Sequence, residues 1–171
     1  MKMAIDSELK SLLLIRHAKS SWENFDVPDF ERPLNDRGRK DAPTMAARMV
    51  KAGIKPDILL VSTAKRTRKT AAFFQEAWQL PNDQVRYLDQ LYLASPGGFR
   101  QIIAELGAEF RTIAIISHNN GLTDFANQLT ETRIDNIPTC GIFAVRAKIS
   151  DWKEFEQAEK EFWFFDYPKK I

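Results

Sequence analysis

Short runs that are apolar at every position alternate along this chain with longer stretches of helical period. Leu12-Leu13-Leu14-Ile15 reads as a strand covered on both faces, because no position in it is left for solvent. Asn35 or Asp36 can cap a following helix that carries Ala42, Met45, Ala46, Met49 and Val50 on one side, and Gly53 stops it. Pro56 precedes a second buried strand, Asp57-Ile58-Leu59-Leu60-Val61-Ser62. A helix from about Lys65 to Trp78 then carries Ala71, Phe74 and Trp78 at helical spacing, with Pro81 beyond its end. Val85 to Leu88 is a short strand, Pro96 opens a helix through about Leu106, and Thr112-Ile113-Ala114-Ile115-Ile116-Ser117 is the third buried run. Leu122 to Leu129 is again helical. From Ile142 the pattern changes: Phe143, Val145 and Ala147 alternate with other residues, Glu161 to Phe165 is aromatic, and two strands joined by a charged connection account for both.

Strands that are apolar on both faces and alternate with helices imply a three-layer α/β/α sandwich with a mostly parallel central sheet. In such a sheet the carboxyl ends of the strands line one edge, and ligands bind there.

The 171 residues suit one domain, 1–171, and no repeat, flexible linker or low-complexity tract divides them. Lys and Arg number 25 against 23 Asp and Glu, a net +2 with both signs interspersed. The densest basic cluster, Lys65-Arg66-Arg68-Lys69, is short, so nucleic acid is not the expected partner. The lone cysteine, Cys140, excludes an internal disulfide and fits a reducing compartment. Met1 to Lys10 lacks a signal-peptide core, and nowhere do 18 apolar residues run together. The expectation is a cytoplasmic protein that does not bind membranes.

Chemistry concentrates at the strand ends. The chain has two histidines, His17 and His118, and each directly follows a buried run, the first with Arg16 beside it. The second strand ends in Ser62-Thr63-Ala64-Lys65-Arg66. An arginine in the first turn of a helix opposes the helix dipole unless an anion is near, and at Arg66 a phosphate would meet both a guanidinium and backbone N–H groups. Two guanidinium groups, two imidazoles and a helix start on one edge are the donors that phosphoryl transfer needs. Two histidines among arginines, with no third histidine and no dense carboxylate cluster, make a poor divalent-metal site, so neither a metal nor another cofactor is expected. The chain also contains no Gly-x-x-x-x-Gly-Lys-Ser/Thr loop.

Arg16-His17-Ala18 resembles the Arg-His-Gly signature of the histidine phosphatase superfamily, whose fold is phosphoglycerate mutase-like. Arg32-Pro33-Leu34-Asn35-Asp36-Arg37-Gly38, then Ser62 to Ala71, then Ser117-His118-Asn119 before Gly121-Leu122, are similar in order and spacing to the short SixA phosphohistidine phosphatases. The resemblance covers roughly residues 11–145. It implies that His17 takes up the phosphoryl group while Arg16, Arg66 and His118 hold its oxygens. Ala18 stands where the signature has glycine, so a methyl group must fit near the phosphate. Ser20 and Trp22 fit the signature's continuation in larger relatives, with Glu23 in the place of an asparagine.

The general acid is less plain. Asn119 occupies the position of an aspartate in the acid-phosphatase branch and cannot donate a proton. Asp89 lies in the stretch that supplies a glutamate in the mutase branch and is the first candidate, Glu23 the second. Ser20, Asn119 and Arg32 are candidate substrate contacts. Arg32-Pro33-Leu34 and Arg37-Gly38 equally suit a turn that sets the start of the helix, and Lys19 and Arg32 widen the positive field. Only about twenty residues separate Trp78 from the Pro96 helix, too few for an extensive lid, which favours a phosphorylated protein side chain as substrate. A small-molecule phosphomonoesterase using the same His17, and a noncatalytic phosphate-binding or docking domain, are the alternatives. A flavodoxin-like nucleotide binder lacks its phosphate loop.

Overall fold

The structure, a computed structural model, describes residues 9–170. Most of the segment considered for a signal peptide, residues 1–8, lies outside them. Six strands form one sheet: β1 (Leu9–Arg16), β2 (Ile58–Ser62), β3 (Val85–Leu88), β4 (Thr112–Ser117), β5 (Ile142–Lys148) and β6 (Lys160–Asp166), in the order β3-β2-β4-β1-β5-β6. The first four are mutually parallel neighbours. β5 runs antiparallel to β1, and β6 antiparallel to β5.

Four helices cover the sheet: α1 (Asp36–Lys51), α2 (Lys65–Trp78), α3 (Pro96–Ala104) and α4 (Gly121–Leu129). Leu13, Ile15, Leu59, Val61, Ala114 and Ile116 face α1 and α2, meeting Ala42, Met45, Met49, Ala71 and Phe74. The alternate residues Leu12, Leu14, Ile58, Leu60, Ile113 and Ile115 face α3 and α4 through Phe99, Ile103, Leu122 and Phe125. Both faces of the central strands are thus buried, giving the three layers read from the apolar runs.

Local corrections have physical causes. Val50, expected on the packed side of α1, is 48% exposed, because the buried stripe turns through Met45, Ala46 and Met49 and leaves Val50 outside it. Asp57 is not in β2. Its carboxylate accepts the N–H groups of Arg111 (2.6 Å) and Thr112 (2.9 Å), tying the start of β4 to the neighbouring strand. α3 stops at Ala104, two residues before Leu106. The connection between β5 and β6 is charged, as expected, yet it also plugs one core with Trp152 and Phe155, the Trp152 indole donating to the Phe110 carbonyl (2.8 Å).

The start of α1 fixes the loop after β1. Asn35 is the N-cap, accepting the Gly38 N–H at 2.9 Å, and its own N–H donates to the Lys19 carbonyl (3.0 Å). Gly38 lies so close to the Lys19 backbone that a Cβ there would overlap the Lys19 carbonyl oxygen. Gly38→Ala should therefore lower stability by roughly 1–3 kcal/mol, read as a shift of the urea midpoint. Gly97→Ala in α3 would meet only the Ser95 hydroxyl at 3.8 Å, and should leave stability unchanged or raise it by about 0.5–1 kcal/mol.

Candidate active site

Register brings the site together. β4 lies between β1 and β2, with Arg16 paired to Ser117 and Val61 to Ile116, so the three parallel strands end at one level. The residues that follow each end, His17, His118 and the Ser62–Arg66 turn, become lateral neighbours at the spacing of adjacent strands, about 5 Å. The two imidazole centroids lie 5.3 Å apart. Around them is a pocket of about 230 Å³ lined by Arg16, His17, Lys19, Ser20, Trp22, Asp29, Arg32, Arg66, Leu93, His118, Asn119 and Thr139.

His17 lines this pocket and is 6% exposed. Its Nδ1 lies 2.7 Å from the Ala18 carbonyl oxygen. A carbonyl can only accept, so Nδ1 carries the proton and Nε2 presents its lone pair. The Arg66 Nε–H points at that lone pair from 3.3 Å. Burial lowers the His17 pKa well below 6.5; the Ala18 bond opposes the shift, and the nearby His118, Arg66 and Arg16 reinforce it. The imidazole is therefore neutral at neutral pH. The Ala18 methyl, in the position of a signature glycine, is packed in the α1/α2 core and not against the pocket, while its N–H donates to Thr70 Oγ1 (2.9 Å).

A segment outside the recognised motifs braces this strand end. The Cys140 N–H donates to both the Arg16 and His17 carbonyls (3.0 Å each), and the Gly141 carbonyl accepts from the Arg16 N–H (3.1 Å). Arg16 Nη1 donates to the Ile137 carbonyl (3.0 Å). Cys140 adopts φ 62°, a strained conformation for a side-chain-bearing residue, and so does Leu93 (φ 52°) on the pocket wall.

His118, 1% exposed, has its Nε2 2.8 Å from the Ser62 hydroxyl, and burial followed by the Arg66 charge holds its pKa down at about 3. Its Nδ1 and the Nε of Arg16 are buried with no hydrogen-bond partner among the described residues. A buried Arg16 Nε–H without an acceptor costs on the order of 1–3 kcal/mol, and a neutral His118 whose Nε2 accepts from Ser62 Oγ would carry its proton on Nδ1, so this corner can take an added acceptor.

Arg66 is 3% exposed in the first turn of α2, where neither an acidic residue nor a side-chain cap offsets the helix dipole. Its Nη1 and Nη2 hold the carbonyl (2.7 Å) and carboxylate (3.1 Å) of Asp29. That carboxylate also accepts from Tyr92 Oη (2.5 Å) and from Arg32 Nε (3.2 Å). Burial pushes the Asp29 pKa up, but the Tyr92 and arginine contacts outweigh it and bring it down to about 2.

The sequence-derived set is therefore mostly gathered here, with changed roles. Ser20 lines the pocket and spends its hydroxyl as acceptor for Arg32 Nη1 (2.7 Å), so it positions Arg32. The Asn119 amide is engaged with Ile137 O (3.1 Å), Asn136 Oδ1 (2.5 Å) and Thr123 Oγ1 (2.8 Å), and ties the end of β4 to α4. Asp89 does not line the pocket. It sits on an exposed 3-10 turn (Asp89–Leu91) and accepts from Thr63 Oγ1 (2.6 Å), because β3 ends there, one strand beyond the site. Glu23 is likewise exposed and outside the lining. The carboxylate inside the pocket is Asp29. Its one sequence signal was its place three residues before Arg32, where a helical turn lets the two pair. Among the described residues no group of three or more His, Cys, Asp or Glu is placed to hold a metal ion.

Comparison with known proteins places the fold and the family. The fold superposes on the protein histidine phosphatase SixA complexed with tungstate (TM-score 0.78, 19% identity, 92% of this chain and 97% of that one). It also superposes on a mycobacterial glucosyl-3-phosphoglycerate phosphatase (TM-score 0.69, 16% identity, 92% and 97%). In sequence the chain is 30% identical to an uncharacterized protein of Mycobacterium leprae across 91% of this chain and all of that protein. Against an uncharacterized chloroplastic protein of Arabidopsis thaliana it is 29% identical, over 85% of this chain and 70% of that one. The profile of the histidine phosphatase superfamily (branch 1) matches residues 12–98, and the chain belongs to that superfamily.

Proposed function

We propose that this protein is a metal-independent phosphatase that works through a phosphoryl group carried on His17, and that its substrate is phosphohistidine on another protein. The observation that carries this reading is the neutral His17, its Nε2 lone pair beside the Arg66 Nε–H, in a pocket where the buried Arg16 Nε–H and the His118 Nδ1 have no partner among the described residues. A tetrahedral phosphoryl group supplies acceptors there. In the first step Nε2 attacks phosphorus, the bond from phosphorus to the leaving group breaks, and its electron pair leaves with that group. In the second, water attacks the phosphorus, the P–N bond to His17 breaks, and inorganic phosphate departs. Arg16, Arg66 and His118 stabilise the charge on the equatorial oxygens in both.

Asp29 takes the proton-carrying role in place of Asp89. In the free enzyme it is an ionised partner of Arg66. When a phosphoryl dianion engages Arg66, Asp29 loses part of that pairing and faces negative charge, and both changes raise its pKa. It then takes up a proton from solvent as the substrate binds, delivers it to a departing oxygen, and, ionised again, accepts one from the attacking water. A departing imidazole that is already protonated needs this help least.

The pocket size supports a macromolecular substrate. Metabolite sites generally measure some 300–1,000 Å³, whereas about 230 Å³ holds a phosphoryl group and one ring, with the rest of the substrate outside. No helix among the described residues is long and apolar enough to cross a membrane. The free, buried Cys140 suits the reducing cytoplasm in which we place the protein.

Incubation with a phosphohistidine protein, followed by alkaline quench and mass spectrometry, should find phosphate on His17. His17→Ala should abolish both trapping and turnover, and faster turnover of sugar phosphates than of phosphohistidine would overturn the substrate assignment. Asp29→Asn should cut kcat/KM for an alkyl phosphate roughly 100-fold or more and that for p-nitrophenyl phosphate far less; equal losses on both would remove Asp29 from the proton path. Imidazole ¹⁵N NMR at pH 5 should show His17 neutral with the proton on Nδ1, where an ordinary histidine of pKa 6.5 is charged. By linkage, the unfolded chain binds protons at His17 and His118 that the native state refuses, so stability should fall as pH drops below 6.5, by up to about 1.4 kcal/mol per pH unit for each histidine.

A further inference from the structure

Trp22 is 64% exposed and yet lines the pocket. Its indole is held in place: the Arg32 guanidinium carbon lies 3.5 Å from the ring centre. Arg32 is itself 7% exposed and anchored by Ser20 Oγ (2.7 Å) and the Asp29 carboxylate (3.2 Å). A buried cation, pinned by two side chains of the pocket, thus supports one face of a large aromatic ring whose remaining surface is open. Exposure alone marks nothing, since Phe25 nearby is 94% exposed; Trp22 differs in standing on the pocket lining with a buried cation behind its ring, where its free surface can stack on a ligand. Leu93, 56% exposed and strained at φ 52°, adds a second apolar wall to the same mouth.

In-line displacement sets which part of a ligand meets this mouth. The attacking His17 is 6% exposed and Trp22 64%, so a group that leaves opposite the buried attacking nitrogen departs toward solvent, past the more exposed part of the lining, to which Trp22 belongs. We infer that Trp22, backed by Arg32, is the specificity-determining platform of this site and selects substrates in which a planar ring, such as imidazole, is bonded directly to phosphorus. The inference deepens the phosphohistidine reading and rests on it for the identity of the ring, though not for the existence of the platform. Trp22 touches the leaving group alone, and the phosphoryl oxygens remain with Arg16, Arg66 and His118.

Two ring and ring-free pairs test this. In calorimetry, the wild type should bind phenylphosphonate more tightly than methylphosphonate. Trp22→Ala should remove roughly five- to tenfold of that preference, leave methylphosphonate within about twofold, and be largely rescued by Trp22→Phe. In kinetics, the same variant should lower kcat/KM for phosphohistidine by a similar factor and spare phosphoramidate, which has a P–N bond and no ring. A ring preference that survives Trp22→Ala overturns the inference. So does equal weakening of both phosphonates, which would make Trp22 a mere prop for Arg32, and so does failure of the wild type to bind phenylphosphonate. If the phosphonates behave as expected while the wild type turns over neither P–N compound, the platform stands and the phosphohistidine assignment fails.

Discussion

Everything at this site depends on holding cationic groups close together out of water. Arg66 is almost fully buried beside a half-buried Arg16, whose pKa is lowered by burial and then by Arg66. Two imidazoles share the space and are kept neutral by that field and by burial. Such an arrangement is unfavourable by itself, since desolvation and like-charge repulsion act in the same direction. It persists because the strand ends beneath it are pinned. β1, β2 and β4 are locked in register by two apolar cores, and Cys140 clamps the Arg16 and His17 carbonyls from behind. The sheet absorbs part of the cost in packing energy, and Asp29 and the Ile137 carbonyl offset another part by pairing with the guanidinium groups.

Asp29 is the one carboxylate admitted, and its geometry shows why one suffices. It touches Arg66, Arg32 and Tyr92 at once, balancing part of the positive field without contacting the His17 lone pair, which faces Arg66. A second carboxylate would neutralise the field an incoming phosphoryl group must sense. With none, the two Nη groups of Arg66 would lose the carbonyl and carboxylate that now hold them. The 3-10 turn Asp29–Glu31, carried on the loop between β1 and α1, therefore belongs to the electrostatic design as much as the strand ends do.

Most of the fold was legible in the sequence because its signals are redundant. The three apolar runs that became β1, β2 and β4 each feed both cores, and the alternating residues of β5 divide between them in the same way. The α1 stripe of Ala42, Met45, Ala46 and Met49 was strong enough to carry the helix through Pro43, which taken alone argues for a break. His17, His118, Arg16 and Arg66 were readable because each follows directly from a strand end. What escaped depends on contacts between distant segments. Asp29 and Asp89 are both short acidic residues near turns, and their order along the chain does not say which one folds inward. Asn119 could be placed at the pocket, but the competing partners that engage its amide, Asn136, Ile137 and Thr123, come from the next element and its loop.

The division between strand ends and loops also explains how one pocket can combine rigid chemistry with adaptable selection. The groups proposed to meet the phosphoryl oxygens stand at the ends of β1 and β4 and in the first turn of α2, whose positions follow from the sheet register. Trp22 and Leu93 stand on connections, where side chains can change with little effect on either core. Arg32 joins the two regimes, buried like a core residue through Ser20 and Asp29 yet bearing an exposed indole on its outer face. A substitution at Arg32 removes a charge partner of Asp29 and the support of the ring together, whereas one at Trp22 removes the ring and leaves Asp29 its contacts with Arg66, Arg32 and Tyr92. On the proposed reading, selection of the leaving group and stabilisation of the transferring group are separable, and the residue that couples them is Arg32.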